Sequence, residues 1–149
     1  MILAIRNLRF NEDEILRKKC RVVDDINDRI KILVEDMKET MYENNGVGLA
    51  APQVGILKRI FVVDVMDGFG PRVFINPEIL ELDGEQTDEE GCLSLPGRHK
   101  KVKRANKIRV KALNLEGEEF ELEASELLSR AIQHEYDHLE GVLFIDHDL

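Results

Sequence analysis

The 149-residue sequence predicts an α+β fold in which antiparallel β-strands pack around a central C-terminal helix, with one long amphipathic helix nearer the N-terminus. Three observations carry that expectation. Apolar residues recur at helical spacing over residues 25–44, and again over 126–140. Between them lie short runs that are either continuously apolar or alternate with a period of two. Turn-forming pairs such as Asp67-Gly68 and Asp83-Gly84 punctuate those runs.

Residues 1–24 hold no sustained period and read as an extended or looping arm. Cys20 lies there beside Lys18, Lys19 and Arg21, and reads as a small buried side chain. In the first helix Ile26, Ile30, Leu33, Met37 and Met41 share a face, with Asp28, Lys31, Glu35, Asp36 and Glu39 turned outward. Asp24 or Asp25 can cap its start, and Asn44-Asn45-Gly46 ends it. Residues 46–55, Gly-Val-Gly-Leu-Ala-Ala-Pro-Gln-Val-Gly, are small or apolar apart from Gln53. No Gly-Lys-Ser/Thr follows, so a phosphate loop does not fit. A tight turn packed on the core fits, and so does a loop whose backbone meets a substrate while Gln53 points at it. Residues 60–65 read as a buried strand and 72–75 as a second. Pro77 is expected to break it, and 79–82 to begin a third. An acidic turn then leads to Cys92, which reads as lying on a bend or a short irregular strand. Residues 107–115 alternate as a half-buried strand, 114–118 resemble a hairpin turn, and 120–122 continue the sheet. The last helix has Ser125 as a candidate N-cap and Gly141 as its stop.

Composition sets outer limits. At this length the chain reads as a single domain, 1–149, able to bury a core. A net charge of −9 argues against stable nucleic-acid binding by the whole surface. No segment reaches the 18 or so apolar residues of a membrane span, and the start is too short for a secretory signal. With two cysteines and no disulfide framework, the expected location is cytoplasmic.

The last helix carries His134-Glu135-Tyr136-Asp137-His138. Residues four apart on a helix stack roughly 6 Å apart along its axis, so two imidazoles can close on one cation while the intervening Glu reaches metal-bound water. Read alone, the five residues also fit a surface helix that carries two histidines. Cys92 sits in Glu90-Gly91-Cys92-Leu93-Ser94 and reads alone as a buried structural thiol. Beside the histidines it becomes a candidate third ligand, and a Cys/His/His set leaves a fourth position for water.

Together, Gly46 to Gln53, Glu90 to Ser94 and His134 to His138 resemble, in order and spacing, the three signature motifs of the peptide deformylases. The resemblance implies hydrolysis of the N-formyl group from the formyl-methionine of new polypeptides. It implies Cys92, His134 and His138 as metal ligands, usually of Fe(2+), and Glu135 as general acid/base. Gln53 and the backbone N–H of Leu93 would face the oxyanion, and Val47 and Gly48 would line the cleft where the peptide pairs with backbone. Glu90 and Arg104 would support the metal loop as an ion pair. On the metal's side of the last helix, Leu127, Arg130 and Ala131 are candidates for the methionine pocket, Arg130 through its aliphatic stem. Asp137 is a candidate to orient a ligand histidine. Two departures stand out: the chain ends at Leu149, where many members continue with another helix, and no Asp-Pro precedes Leu16-Arg17.

Two other readings compete. An endopeptidase can use the same helix, but its third ligand normally lies downstream. A structural zinc module normally closes four protein ligands. A Cys/His/His set also accepts Zn(2+), Ni(2+) or Co(2+). Finally, Arg98, Lys100, Lys101, Lys103, Arg104, Lys107, Arg109 and Lys111 gather eight of the chain's 21 basic residues. They read as solvated strand faces, or as a transient contact with the ribosome where formyl-methionyl chains emerge.

Overall fold

The computed structural model describes residues 4–11 and 13–147. Residues 1–3, 12, 148 and 149, which belong to the expected arm, chain end and 1–149 domain, lie outside the described residues. In chain order the elements are α1 (Asp28–Glu43), β1 (Gly48–Ala50), β2 (Ile60–Val63), β3 (Arg72–Asp83), β4 (Gln86–Cys92), β5 (Leu95–Arg104), β6 (Lys107–Leu113), β7 (Glu119–Ser125) and α2 (Glu126–Leu139). Short 3-10 helices occupy Glu14–Arg17, Ala51–Val54 and Phe144–Asp146. The result is a mixed α and β architecture with antiparallel sheets and two α-helices. No helix is long and apolar enough to cross a membrane.

The unbroken apolar run of β2 explains the layering. Successive side chains of a strand point to opposite faces. Phe61 and Val63 face one core with Phe74, Val110 and Ile132 of α2. Ile60 and Val62 face another with Leu33, Met37 and Met41 of α1. The five-stranded sheet, in the order β1-β2-β3-β6-β7, therefore has a helix on each face, and both cores close on β2. Cys20 is buried in the α2-side core, and burial pushes its thiol up to about 11. That is an inert, structural cysteine, as expected.

α1 is shorter than its periodicity suggests. Asn27, rather than Asp24 or Asp25, caps it by accepting the Ile30 N–H at 3.1 Å, so Ile26 precedes the helix. Asp36, expected to face solvent, is buried. It accepts the Ala4 N–H at 2.9 Å and pairs with the Arg6 guanidinium, so the N-terminal arm is strapped along α1.

Pro77 does not break its strand. β3 runs through it because proline's missing N–H falls in a register shift between Ile75 and Glu78, where no ladder bond is required. Asn76 takes a left-handed φ of 51° there, and its side-chain amide pairs with the backbone of Val23 at 2.8 and 2.9 Å.

The acidic turn before Cys92 is in fact strand β4, paired with β5 as a separate two-stranded sheet. Neither strand alternates apolar and polar residues, which is why periodicity misses them. Their complementary charge was the available signal: Glu89 opposes Lys101 and Glu90 opposes Lys100. The Leu93-Ser94 turn closes this hairpin, with Cys92 paired to Leu95 at its tip.

Around α2, Ser125 holds the N-cap position without a side-chain cap; the Glu126 N–H is met instead by Asn106 O at 2.9 Å. Gly141 stops the helix as expected, with φ 74°. The Val142 N–H reaches Asp137 O, and the Gly141 N–H reaches His138 O, a Schellman closure. An added Cβ at Gly141 would lie 2.5 Å from Arg17 O, so the close approach also demands glycine.

Candidate metal centre

The tip of the β4–β5 hairpin lies over the middle of α2. Cys92 Sγ is 3.4 Å from His138 Nε2, and one donor atom each from Cys92, His134 and His138 falls within 4.8 Å of the others. Zinc lies at about 2.3 Å from sulfur and about 2.0–2.1 Å from imidazole nitrogen, so tetrahedral S···N edges are roughly 3.5 Å. The observed separations fit one cation. Among the described residues this is the metal-capable cluster, and it has three donors rather than the four of a closed structural site.

The electrostatics point the same way. His134 Nδ1 donates to Glu90 Oε1 at 2.9 Å, which leaves Nε2 as its ligating nitrogen. Burial alone would lower the His134 pKa, but Cys92 and Glu90 outweigh it and push it up to about 10. The pocket thus favours positive charge between the sulfur and this ring. His138 is held well below the usual histidine range by burial, and so stays neutral as a ligand must. Glu135 is buried, which pushes its carboxyl up to about 7. Its Oε1 has no hydrogen-bond partner among the described residues. An unpartnered buried carboxylate oxygen is costly, and a water at the fourth corner of the site is its natural partner.

A cleft of about 380 Å³ opens on this cluster. Val47 and Gly48 form one wall, Leu93 the hairpin side, and Leu127, Arg130 and Ala131 the helix side. Gly48 is required for Glu135 to sit where it does, since an added Cβ would lie 2.6 Å from Glu135 Oε2. Gly48 begins β1, an edge strand of the sheet, whose outer backbone groups suit pairing with an extended peptide. Gln53 is buried. Its Oε1 accepts the Ala50 N–H at 2.9 Å, which turns Nε2 toward Ser94 Oγ at 3.1 Å and Cys92 Sγ at 3.5 Å.

Glu90 and Arg104 form a bidentate pair, with both contacts at 2.8 Å. Burial would raise the Glu90 carboxyl, but Arg104 and His134 hold it well below the usual carboxylate range. Arg130 contributes more than its stem. Its Nη1 also donates to Glu90, and its Nε to Gln86 at 3.0 Å. Asp137, a candidate to orient a ligand histidine, makes no direct hydrogen bond to His134 or His138; it accepts from Arg104 Nη1 at 2.7 Å and meets His147 Nε2 at 2.8 Å. One position before His138, it projects to a different side of α2, toward Arg104. The expected Glu90–Arg104 pair is thus part of a larger network that includes Arg130, Asp137, Gln86 and His147.

The family model described as polypeptide deformylase matches residues 5–148. Peptide deformylase 1 of Clostridium perfringens is 84% identical over 147 residues, covering 99% of this chain and 100% of that protein. The crystal structure of peptide deformylase from Thermotoga maritima shares 46% identity at a TM-score of 0.94, covering 97% of this chain and 98% of that one. A Met-Ala-Ser-bound class I type b peptide deformylase from Acinetobacter baumannii shares 34% identity at a TM-score of 0.93, covering 99% and 100% respectively.

Proposed function

The chain belongs to the polypeptide deformylase family, and from that premise we propose how its own residues carry out the reaction. It is a metal-dependent hydrolase that removes the N-formyl group from newly made polypeptides, rather than an endopeptidase on the same helix motif. Our assignment makes 1–149 one catalytic domain with α2 as its central metal-binding helix. Cys92, His134 and His138 hold the cation, which we assign as Fe(2+), with Zn(2+), Ni(2+) or Co(2+) as substitutes of matching preference. When bound, the cation would act as a Lewis acid and would bring the pKa of its water down to near 7.

The formyl-methionyl end enters the cleft with its backbone along Val47 and Gly48. Its methionine side chain lies against Leu127, Ala131 and the Arg130 stem. The tripeptide in the Acinetobacter baumannii structure begins with methionine, the residue that deformylation exposes. Glu135 takes the proton of the attacking water and later passes it to the departing amine, giving formate and a free N-terminus. As the formyl oxygen gains charge, the Gln53 amide and the Leu93 N–H donate to it. Glu90 keeps the His134 tautomer, and Arg104 keeps Glu90.

The observation that carries this reading is the cluster of Cys92, His134 and His138 beside buried Glu135, whose Oε1 has no partner. The test is anaerobic purification with elemental analysis, paired with a formate-release assay. Formyl-Met-Ala should be hydrolysed, while acetyl-Met-Ala and internal peptide bonds should not. Cleavage of internal bonds without formate release would overturn the assignment.

We place the protein in the cytoplasm, where formylated chains are made, with transient contact to the ribosome. Half of the basic run is already engaged: Arg104 is in the buried network, Arg109 and Lys111 pair with strand acids, and Lys100 donates to the Ile145 carbonyl. Arg98, Lys101, Lys103 and Lys107 have no acidic partner among the described residues and would carry the contact. Ribosome co-sedimentation should therefore weaken as salt rises; salt-independent co-sedimentation would remove these four from the account.

A further inference from the structure

We propose that His147 is a positioning residue for the metal site, acting on His134 from outside the cleft through Asp137, Arg104 and Glu90. The inference rests on the metal-site reading above.

The contacts form one unbroken series. His147 Nε2 meets Asp137 Oδ2 at 2.8 Å, and a carboxylate only accepts, so Nε2 is the donor. The same Oδ2 accepts from Arg104 Nη1 at 2.7 Å. Arg104 then holds both oxygens of Glu90 with Nε and Nη2, and Glu90 Oε1 accepts from His134 Nδ1. Side-chain exposure falls along the series, from 32% at His147 to 22% at Asp137 and 3% at Arg104. The imidazole is therefore the solvent-side end of a network whose inner end sets a ligand's tautomer.

Geometry gives His147 a specific task. Arg104 Nη1 is the one guanidinium nitrogen here not pointed at Glu90, and only Asp137 takes it up. Still partly exposed, Asp137 could swing to water and release Arg104 to re-pair around Glu90. A second donor on the same Oδ2 pins that oxygen in place. The backbone of the segment is anchored independently of the ring. Lys100 Nζ donates to the carbonyls of Ile145 and His147, and Asp146 accepts from Arg17 and from the Leu143 N–H. Replacing the imidazole should thus remove a donor without detaching the segment. His147 also lines a cavity on the far side of Arg104 together with Tyr136 and Gln133, and it is not among the residues lining the substrate cleft.

Loss of a direct partner of a metal ligand typically costs about 10–100-fold in metal affinity. His147 acts through intermediates, so a smaller effect of roughly three- to tenfold is expected. The experiment loads the full chain with cobalt(II) and follows release to excess chelator, together with the visible d–d band and steady-state kinetics on formyl-Met-Ala. His147→Leu should release cobalt faster by that factor, shift the band and lower kcat with KM unchanged. His147→Gln, whose amide nitrogen can replace Nε2 as donor to Asp137, should restore wild-type release. Release from His147→Leu at the wild-type rate would overturn the inference. Equal loss in the Leu and Gln variants would overturn it too, by showing that only packing matters. Failure of the wild type itself to bind cobalt would instead sink the metal site, and the inference with it.

Discussion

Glu135→Gln should abolish most turnover while the protein keeps its full complement of metal and its fold. General acid–base catalysis contributes about 10²–10⁴-fold, and in the proposed reaction one carboxylate both accepts and returns the proton, so the fall in kcat should lie at or above the upper end of that range. The substitution is nearly isosteric, which matters because Gly48 leaves Glu135 no room to spare. None of the three ligand contacts involves the Glu135 side chain, so metal content by elemental analysis should match the wild type. KM for formyl-Met-Ala should change little, because the residues proposed to bind the substrate, Val47, Gly48, Leu127, Arg130 and Ala131, are untouched. Near-wild-type kcat in the metal-replete variant would show that another group moves the proton. Loss of metal alongside activity would show that Glu135 belongs to the ligand set.

What could be read from residues alone follows from which forces leave a local trace. The two helices and β2 were legible because burial on one face, or on both, writes a period into the chain. The cluster of Cys92, His134 and His138 was legible because a helix places His134 and His138 in register with each other, and because Cys92 lies in a motif of recognisable composition. The β4–β5 hairpin writes no period because its buried apolar residues, Leu95 and Val102, are few and unevenly spaced, and an ion pair, Glu90 with Arg104, joins its strands. Pro77 misled because its cost depends on a register shift that only the partner strand reveals. The partners of Asp36, Asp137 and Arg130 leave no local trace, for one common reason. Each is a charged residue whose partner lies far along the chain, Arg6, Arg104 and Glu90 respectively, and no local pattern encodes such a pairing.

Those long-range pairs also determine which substitution should damage the fold most. Arg104 is 5% exposed and answers two carboxylates, Glu90 through a fork and Asp137 through its remaining Nη. Arg104→Met leaves Glu90 short of its main partner inside the protein. Removing one side of a buried ion pair costs about 3–5 kcal/mol, against a total stability of about 5–15 kcal/mol. Arg130→Met is the informative comparison, since Arg130 is equally buried but serves Glu90 alone among acids. Glu90 retains Arg104 in that variant, and Asp137 is unaffected, so its loss should be clearly smaller. Urea titration of the metal-depleted proteins measures both without the stabilisation that bound metal adds. Arg104→Met should also weaken metal retention, because a Glu90 freed from its fork no longer fixes His134 Nδ1. If the two arginine variants proved equally stable, the Arg104 fork that ties β4 to β5 through Glu90 would not be the contact that sets the hairpin's stability. The support for Cys92 and His134 would then have to come from the apolar packing of Leu95, Val102 and Phe144 beneath the hairpin.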